Sequence, residues 1–125
     1  MTKAEALHGF YSSFGLRAYE ASSVPTGADA PAFPYLTYDF AADSFGVNVP
    51  LSFSLWYYSS SWVEINAKTD EISARIGRGG VKLPCDGGGI WLRRGSPFAQ
   101  SMGDSTDNMI RRKYINITAE FLTAD

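Results

Sequence analysis

Residues 51–77, LSFSLWYYSSSWVEINAKTDEISARIG, contain the change of hydrophobic period that decides the fold. Up to Ser60 the apolar residues occur at every second position, which is typical of a half-buried antiparallel strand. From Ser61 they recur every three or four positions, which predicts an amphipathic helix over Ser61–Ile76 that Gly77 ends. Ser61 and Glu64 have the spacing of a capping box. The predicted inward residues are Leu51, Phe53, Leu55 and Tyr57 on the strand and Trp62, Ile65, Thr69, Ile72 and Ile76 on the helix.

Another helix is predicted at the N-terminus, over Thr2–Phe14, with a capping box formed by Thr2 and Glu5. Its apolar face is predicted to hold Ala4, Leu7, Tyr11 and Phe14, with Phe10 on the flank. A strand is predicted to begin near Leu16. Residues 22–34 are rich in Pro, Gly, Ala and Ser and form a long loop, which is interpreted either as a contact arm or as a plain mobile loop.

The other segments are β-rich. FPYLTYDF, residues 33–40, predicts a strand that places Leu36, Tyr38 and Phe40 on one face. Strands are also predicted in residues 80–86, 88–95 and 108–125, with a glycine-rich turn between the first two. The order of helices and strands indicates a single α+β domain, residues 1–125, with two helices packed on a mainly antiparallel sheet.

The composition is that of an ordinary globular protein. Of the 125 residues, 45% are hydrophobic and 19% are charged, and the formal net charge is -2. That charge does not predict general nucleic-acid binding, which usually leaves a basic footprint. No signal peptide and no membrane-spanning segment is recognised, so we expect a soluble intracellular protein without a membrane partner.

The stretch CDGGGIWLRRGSPFAQSMGD, residues 85–104, has residue types that occur in catalytic and phosphate-binding loops, but it lacks a known catalytic pattern. Its glycines do not form a phosphate-binding loop, because the required Gly-Lys-Ser/Thr ending is absent and a strand follows. Cys85 has no nucleophile signature, and His8 is the single histidine. Asp104 and Asp107 do not have the spacing of a calcium loop. We therefore expect no enzyme activity, no cofactor and no metal site.

The basic residues are candidates for contact with other chains. Two pairs of arginines, with Lys113 beside the second pair, fall on neighbouring predicted strands; if those strands pair, the charges are able to gather at one end of the sheet. They are interpreted either as solvated charges that discourage edge pairing or as partners of an acidic face on a neighbouring subunit, with nucleic-acid contact as a third hypothesis. These arginines are Arg93, Arg94, Arg111 and Arg112, and the acidic candidates are Asp29, Asp39 and Asp43.

Trp56 and Tyr58 alternate with the inward residues of their strand and are expected on its outer face. They are interpreted either as packing under a further layer or as part of a subunit interface, where Trp and Tyr are favoured. In a subunit interface, the aromatic residues would supply most of the contact energy.

In size and element order the chain resembles the tail-terminator, or tail-completion, proteins of long-tailed bacteriophages. The resemblance is carried by FPYLTYDF after the Pro-rich loop, by the aromatic strand that leads into the capped helix, and by IWLRRGSPFAQSMGD before the closing strand MIRRKYINITAEF. It spans nearly the whole chain, and no single motif is diagnostic.

The resemblance implies a homo-oligomer, a hexameric ring that caps the tail tube in the virion. Such a ring sits on the last ring of major tail-tube protein, stops polymerisation and docks to the head-completion or connector protein. DNA passes through its lumen without sequence-specific binding, and assembly takes place in the host cytoplasm. The family has no catalytic residues to transfer to this sequence.

Two alternatives stay open at this point. One is another phage structural subunit, such as a head-completion or tail-tube protein. The other is a small intracellular enzyme or ligand-binding domain, which would require a deep pocket that gathers His8, Cys85 and Asp86.

Overall fold

The computed structural model of the chain describes all residues, 1–125, and contains two α-helices and six strands. The strands form one sheet in the order β1-β2-β3-β6-β5-β4, in which only β1 and β2 run parallel. The predicted α+β class with a mainly antiparallel sheet is therefore confirmed. The elements are α1 (Lys3–Ser12), β1 (Arg17–Glu20), β2 (Tyr35–Tyr38), β3 (Val47–Tyr58), α2 (Val63–Ile76), β4 (Val81–Cys85), β5 (Gly88–Gly103) and β6 (Ile110–Thr123).

The long loop connects the two parallel strands. A hairpin cannot join parallel neighbours, and their connection takes a dozen or more residues. Residues 21–34 make this connection, with two short 3-10 turns, Ala21–Ser23 and Gly27–Asp29. The parallel pairing thus accounts for the length of the predicted loop, and a role of the loop in contacts with other chains is not needed to explain it.

Both helices lie on one face of the sheet. The helix α2 packs on β3, β5 and β6, and Ile65, Ile72 and Ile76 on its inner side are almost inaccessible to solvent. The helix α1 packs against both β1 and β4, the two edge strands, so the sheet curls around it. The inward alternation predicted for the strand over residues 51–57 is confirmed.

The first helix begins as predicted. The Thr2 hydroxyl accepts the Glu5 N–H at 3.1 Å, and the Glu5 carboxylate accepts the Thr2 N–H at 2.9 Å. The predicted apolar face is partly wrong, because Ala4 is exposed while Ala6 and Phe10 are buried. The reason is that α1 packs into a sheet that curls around it, so its buried arc is shifted towards Ala6 and Phe10.

The predicted capping box at the second helix is wrong. The helix begins two residues later, with Trp62 as its N-cap residue and no side-chain cap bond. The Ser61 hydroxyl accepts the N–H of Val63, two positions on, at 3.1 Å, which is a local turn bond and not a cap to the third helical residue. The predicted stop is confirmed, since Gly77 has φ 71° and its N–H bonds to the Ser73 carbonyl.

Two strand boundaries also differ from the prediction. Phe40 lies beyond the end of β2 and is 38% exposed, because pairing with β3 ends where the Asp39 N–H bonds to the Ser52 carbonyl. The strand β5 continues far beyond residue 95, to Gly103, after a bulge between Arg94 and Ala99. At the start of β5, a Cβ on Gly88 would lie 2.0 Å from the Leu122 carbonyl oxygen, so this position requires glycine.

Candidate interaction surfaces

Neither helix covers the sheet face opposite α1 and α2, and we call it the open face; Phe33 of the long loop reaches its margin, where it contacts Tyr35 and Tyr58. The strand register and the alternation of side chains decide which residues it carries. It is rich in aromatic residues and arginine, the residue types that dominate the energetics of protein interfaces. Its central residues are Tyr35, Thr37, Ser54, Trp56, Arg112 and Tyr114.

Trp56 lies at the centre of this surface in a fixed orientation. Its indole Nε1 donates to the Thr37 hydroxyl at 2.9 Å, and its ring lies nearly parallel to that of Tyr35, with centroids 6.1 Å apart. The Arg112 guanidinium is 4.8 Å from the centroid of the Trp56 ring, and its Nε donates to the Ser54 hydroxyl at 3.0 Å. No bond within the chain uses the two terminal nitrogens of Arg112, so they remain available as donors to another molecule.

Tyr58 extends the aromatic surface to the end of the strand. It is 52% exposed, and its ring lies 5.6 Å from the ring of Phe33 in the long loop. The pKa of Tyr58 is raised, chiefly because the nearby negative charge of Asp107 disfavours the phenolate. The placement of Trp56 and Tyr58 on the outer face is as predicted, whereas their role in an interface stays a prediction.

The four arginines do not gather at one end of the sheet, which is the arrangement on which the hypothesis of a basic patch depended. Arg93 pairs with Thr118, whereas Arg112 lies six residues away on β6, about 20 Å along the strand. Neighbouring residues of a strand also point to opposite faces, so Arg93 and Arg112 lie on the open face while Arg94 and Arg111 lie on the helix face. Strand pairing alone therefore does not create a basic patch.

Three of these arginines already have partners within the chain. Arg93 lies 3.5 Å from the Glu120 carboxylate and donates to the Asn48 side chain at 2.6 Å. Arg111 donates to the Ser59 and Ser60 carbonyls, both at 3.0 Å, and thereby fixes the connection between β3 and α2. Arg94 donates to the Ser73 hydroxyl of α2 at 2.9 Å. Arg112 also has a partner, Ser54, but this bond uses Nε alone and leaves both terminal nitrogens unbonded on the open face. Arg112 is therefore the best candidate of the four for an intermolecular contact.

The three acidic candidates are exposed but lie apart. Asp29 is in the second 3-10 turn of the long loop. Asp39 follows β2 and accepts a hydrogen bond from the Ser52 hydroxyl at 3.2 Å. Asp43 accepts only the N–H of its neighbour Ser44, at 2.8 Å. None of the three forms an ion pair within the chain.

The charge of the open face differs in sign from that of the chain. Its strand positions and the adjoining Asp39 carry four cations and two carboxylates, a net charge of +2, while the whole chain has -2. The rest of the surface therefore carries the excess of acidic groups. The charged residues of the open face are Arg17, Lys82, Arg93, Arg112, Asp39 and Glu120.

The residues with potential chemistry do not line a common pocket. His8 is within 2.9 Å of the Tyr38 hydroxyl, whereas Asp86 pairs with the N-terminal amine at 2.6 Å. Cys85 packs at the margin of the core. No pocket of the chain is lined by more than one of these three residues, and no group of three or more metal-ligating side chains converges. No helix has the length and apolar character needed to cross a membrane.

Sequence reasoning missed the partners of Trp56. These partners are Tyr35, Thr37 and Arg112, and the alternation of outward residues along their strands was the available signal. Which strand lies beside β3, and in which register, depends on long-range pairing that no local pattern contains.

No protein-family model matches the chain, and no curated protein matches it either. Among solved structures, it is similar to a chain in a structure described as the virion of a native gene transfer agent (GTA) particle. The TM-score is 0.61 and the sequence identity 18%, and the similarity covers 95% of this chain and 93% of the other. The two chains therefore share a fold over almost their full lengths.

Proposed function

We propose that the chain is a structural subunit of a phage-type virion, and specifically a tail terminator that assembles into a ring at the head-proximal end of the tail. The observation that carries this proposal is the shared fold, over 95% of the chain, with a component of a virion. The resemblance of the sequence to tail-terminator proteins supports the finer role. On this proposal the chain acts by assembly and has no catalytic activity.

A ring requires two different, mutually complementary surfaces on each subunit. The open face suits one of them, because Trp56 is held by three neighbours and loses little conformational freedom on binding. Its net positive charge matches the acidic remainder of the surface on a second copy. Exposed ion pairs contribute only about 0–1 kcal/mol each, so the aromatic cluster supplies most of the contact energy and the charges set the register.

The terminator role is tested with purified tail tubes. The chain is added to tubes assembled without it, and the position of bound rings is recorded by electron microscopy. We expect one ring at one end of each tube and no further growth when tube protein is added. Binding along the tube wall, or incorporation at intervals within it, would instead indicate a tail-tube subunit. Binding only to isolated head connectors would indicate a head-completion protein.

The role of the open face is tested by comparing Trp56→Ala with Arg93→Ala. We expect Trp56→Ala to weaken oligomerisation more, because Arg93 already has its charge compensated by Glu120. Sedimentation at matched concentration measures assembly, and circular dichroism confirms folding. Full rings of Trp56→Ala together with monomers of Arg93→Ala would show that ionic contacts outweigh apolar ones.

A further inference from the structure

The most exposed large apolar side chain of the protein is Phe45, at 78%. It lies in the turn before β3, and its φ of 58° makes it the only non-glycine residue in the left-handed region. A bulky side chain is unfavourable there, and Gly or Asn is usual. The turn is nevertheless well fixed, because the N–H groups of Phe45 and Gly46 bond to the Thr123 and Phe121 carbonyls, both at 2.8 Å. The backbone therefore holds Phe45 out into solvent.

A pocket opens elsewhere on the same chain, between α1 and β4, and we call it the α1–β4 pocket. Its volume is about 280 Å³. Ala6, Phe10, Val81 and Leu83 give it an apolar lining, and Arg75 stands among the lining residues. Sites for drug-sized ligands occupy about 300–1,000 Å³, so this pocket is better matched to a single side chain.

The charges beside the turn and the pocket are complementary. Asp43, two residues before Phe45, makes no ion pair within the chain; the Lys3 ammonium nearby bonds to its backbone carbonyl. Arg75 lies over the Phe14 ring at 5.5 Å and likewise has no carboxylate partner. An aromatic side chain that enters the pocket would bring an unpaired carboxylate towards an unpaired guanidinium.

We propose that Phe45 of one copy of this chain docks in the α1–β4 pocket of a second copy, with Asp43 facing Arg75. Because the two surfaces differ, the contact is heterologous, the type of contact that builds a ring when its rotation closes. The proposal rests on the ring assembly proposed above and names one of its contacts. It adds a second contact at the interface between neighbouring copies, beside the contact of the open face.

Two variants test the two sides of the contact. Phe45→Asn removes the aromatic ring and places a residue that tolerates the left-handed conformation in the same turn. Gly9→Trp fills the pocket from the α1 side; a Cβ on Gly9 meets no atom within 4 Å, so the backbone tolerates a side chain there. The matched controls are Phe40→Ala, an exposed aromatic in the same connection, and Gly9→Ala, which leaves the pocket open.

Sedimentation velocity over a concentration series measures assembly, with circular dichroism as a check on folding. We expect the dissociation constant of assembly to rise about tenfold or more for both variants, because each removes a central contact of the interface. Both controls should form rings. A mixture of the two variants retains one intact contact, between Phe45 of one and the open pocket of the other. We expect that mixture to stop at heterodimers.

An exchange of charges gives an independent test. Asp43→Arg and Arg75→Asp should each weaken assembly, and the two changes in one chain should restore it. Rings formed by Phe45→Asn as readily as by the unmodified chain would overturn this contact while leaving the proposed ring intact. If Phe45→Asn forms rings that no longer bind the tail tube, the contact between copies would be overturned, and Phe45 would instead bind the tail-tube protein. An unmodified chain that stays monomeric at every concentration would instead contradict the proposed function itself.

Discussion

Truncation of Ile72 to alanine is the sharpest test of how the helix α2 holds the fold. The side chain is fully buried between α2 and the sheet. Ile72→Ala removes three carbon atoms, which lose about 2.4 kcal/mol of transfer free energy at about 0.8 kcal/mol each. The unfilled cavity adds a cost, and the better helix propensity of alanine offsets up to about 0.5 kcal/mol. We expect a net loss of about 3 kcal/mol in the free energy of unfolding.

Urea unfolding followed by circular dichroism measures this loss. With an m-value of about 2 kcal/mol/M, the midpoint should fall by about 1.5 M. The matched control is Val63→Ala in the same helix, where the side chain is 74% exposed and the change should stay within about 0.5 kcal/mol. Measurements at two protein concentrations separate the stability of the fold from that of an assembly. A loss below about 1 kcal/mol for Ile72→Ala would refute the assigned packing of α2.

Two further substitutions test single side chains. Tyr11→Phe should leave the free energy of unfolding unchanged or raise it by up to about 1 kcal/mol, because the buried Tyr11 hydroxyl has no hydrogen-bond partner. Burial also raises the pKa of Tyr11 above its ordinary value of 10.0. The folded chain therefore loses stability as the pH rises above 10, where the tyrosine of the unfolded chain ionises. Urea midpoints between pH 8 and 11 should fall less steeply for Tyr11→Phe than for the unmodified chain, and an equally steep fall would contradict this assignment. Cys85→Ser should leave ring assembly unchanged, because Cys85 lies at the margin of the core and has no assigned contact. Sedimentation measures the assembly. Loss of a catalytic turnover in that variant would show that the chain is an enzyme.

The parts of the fold that follow from local pattern were predictable from the sequence. The buried alternation of Leu51, Phe53 and Leu55 and the helical period of Ile65, Ile72 and Ile76 both reflect side-chain directions set by the backbone alone. The exact start of α2 was not predictable, because Ser61 satisfies the first N–H of the helix, on Val63, by a local turn. The parallel pairing of β1 with β2 was also hidden, since it is a long-range contact across the loop.

The candidate interface was predictable in composition but not in arrangement. Alternation placed Trp56 on the outer face correctly. The same alternation separates Arg93 from Arg94, and Arg111 from Arg112, onto opposite faces, so adjacency in sequence misled the prediction of a basic patch. Only the register, which sets Arg112 opposite Trp56, identifies the arginine that joins the aromatic cluster.

Residues that break a local rule are the strongest indication of where this chain meets others. Gly77 and Gly88 obey the rule, because glycine occupies backbone positions that other residues disfavour. Phe45 breaks it, because a large apolar side chain occupies such a position and gains almost no burial in return. Natural sequences accept such local conflicts chiefly at functional sites, where the compensation lies elsewhere. Within this chain two backbone hydrogen bonds hold the turn, but no contact covers the ring of Phe45. We therefore place the role of this ring in a contact with a second copy.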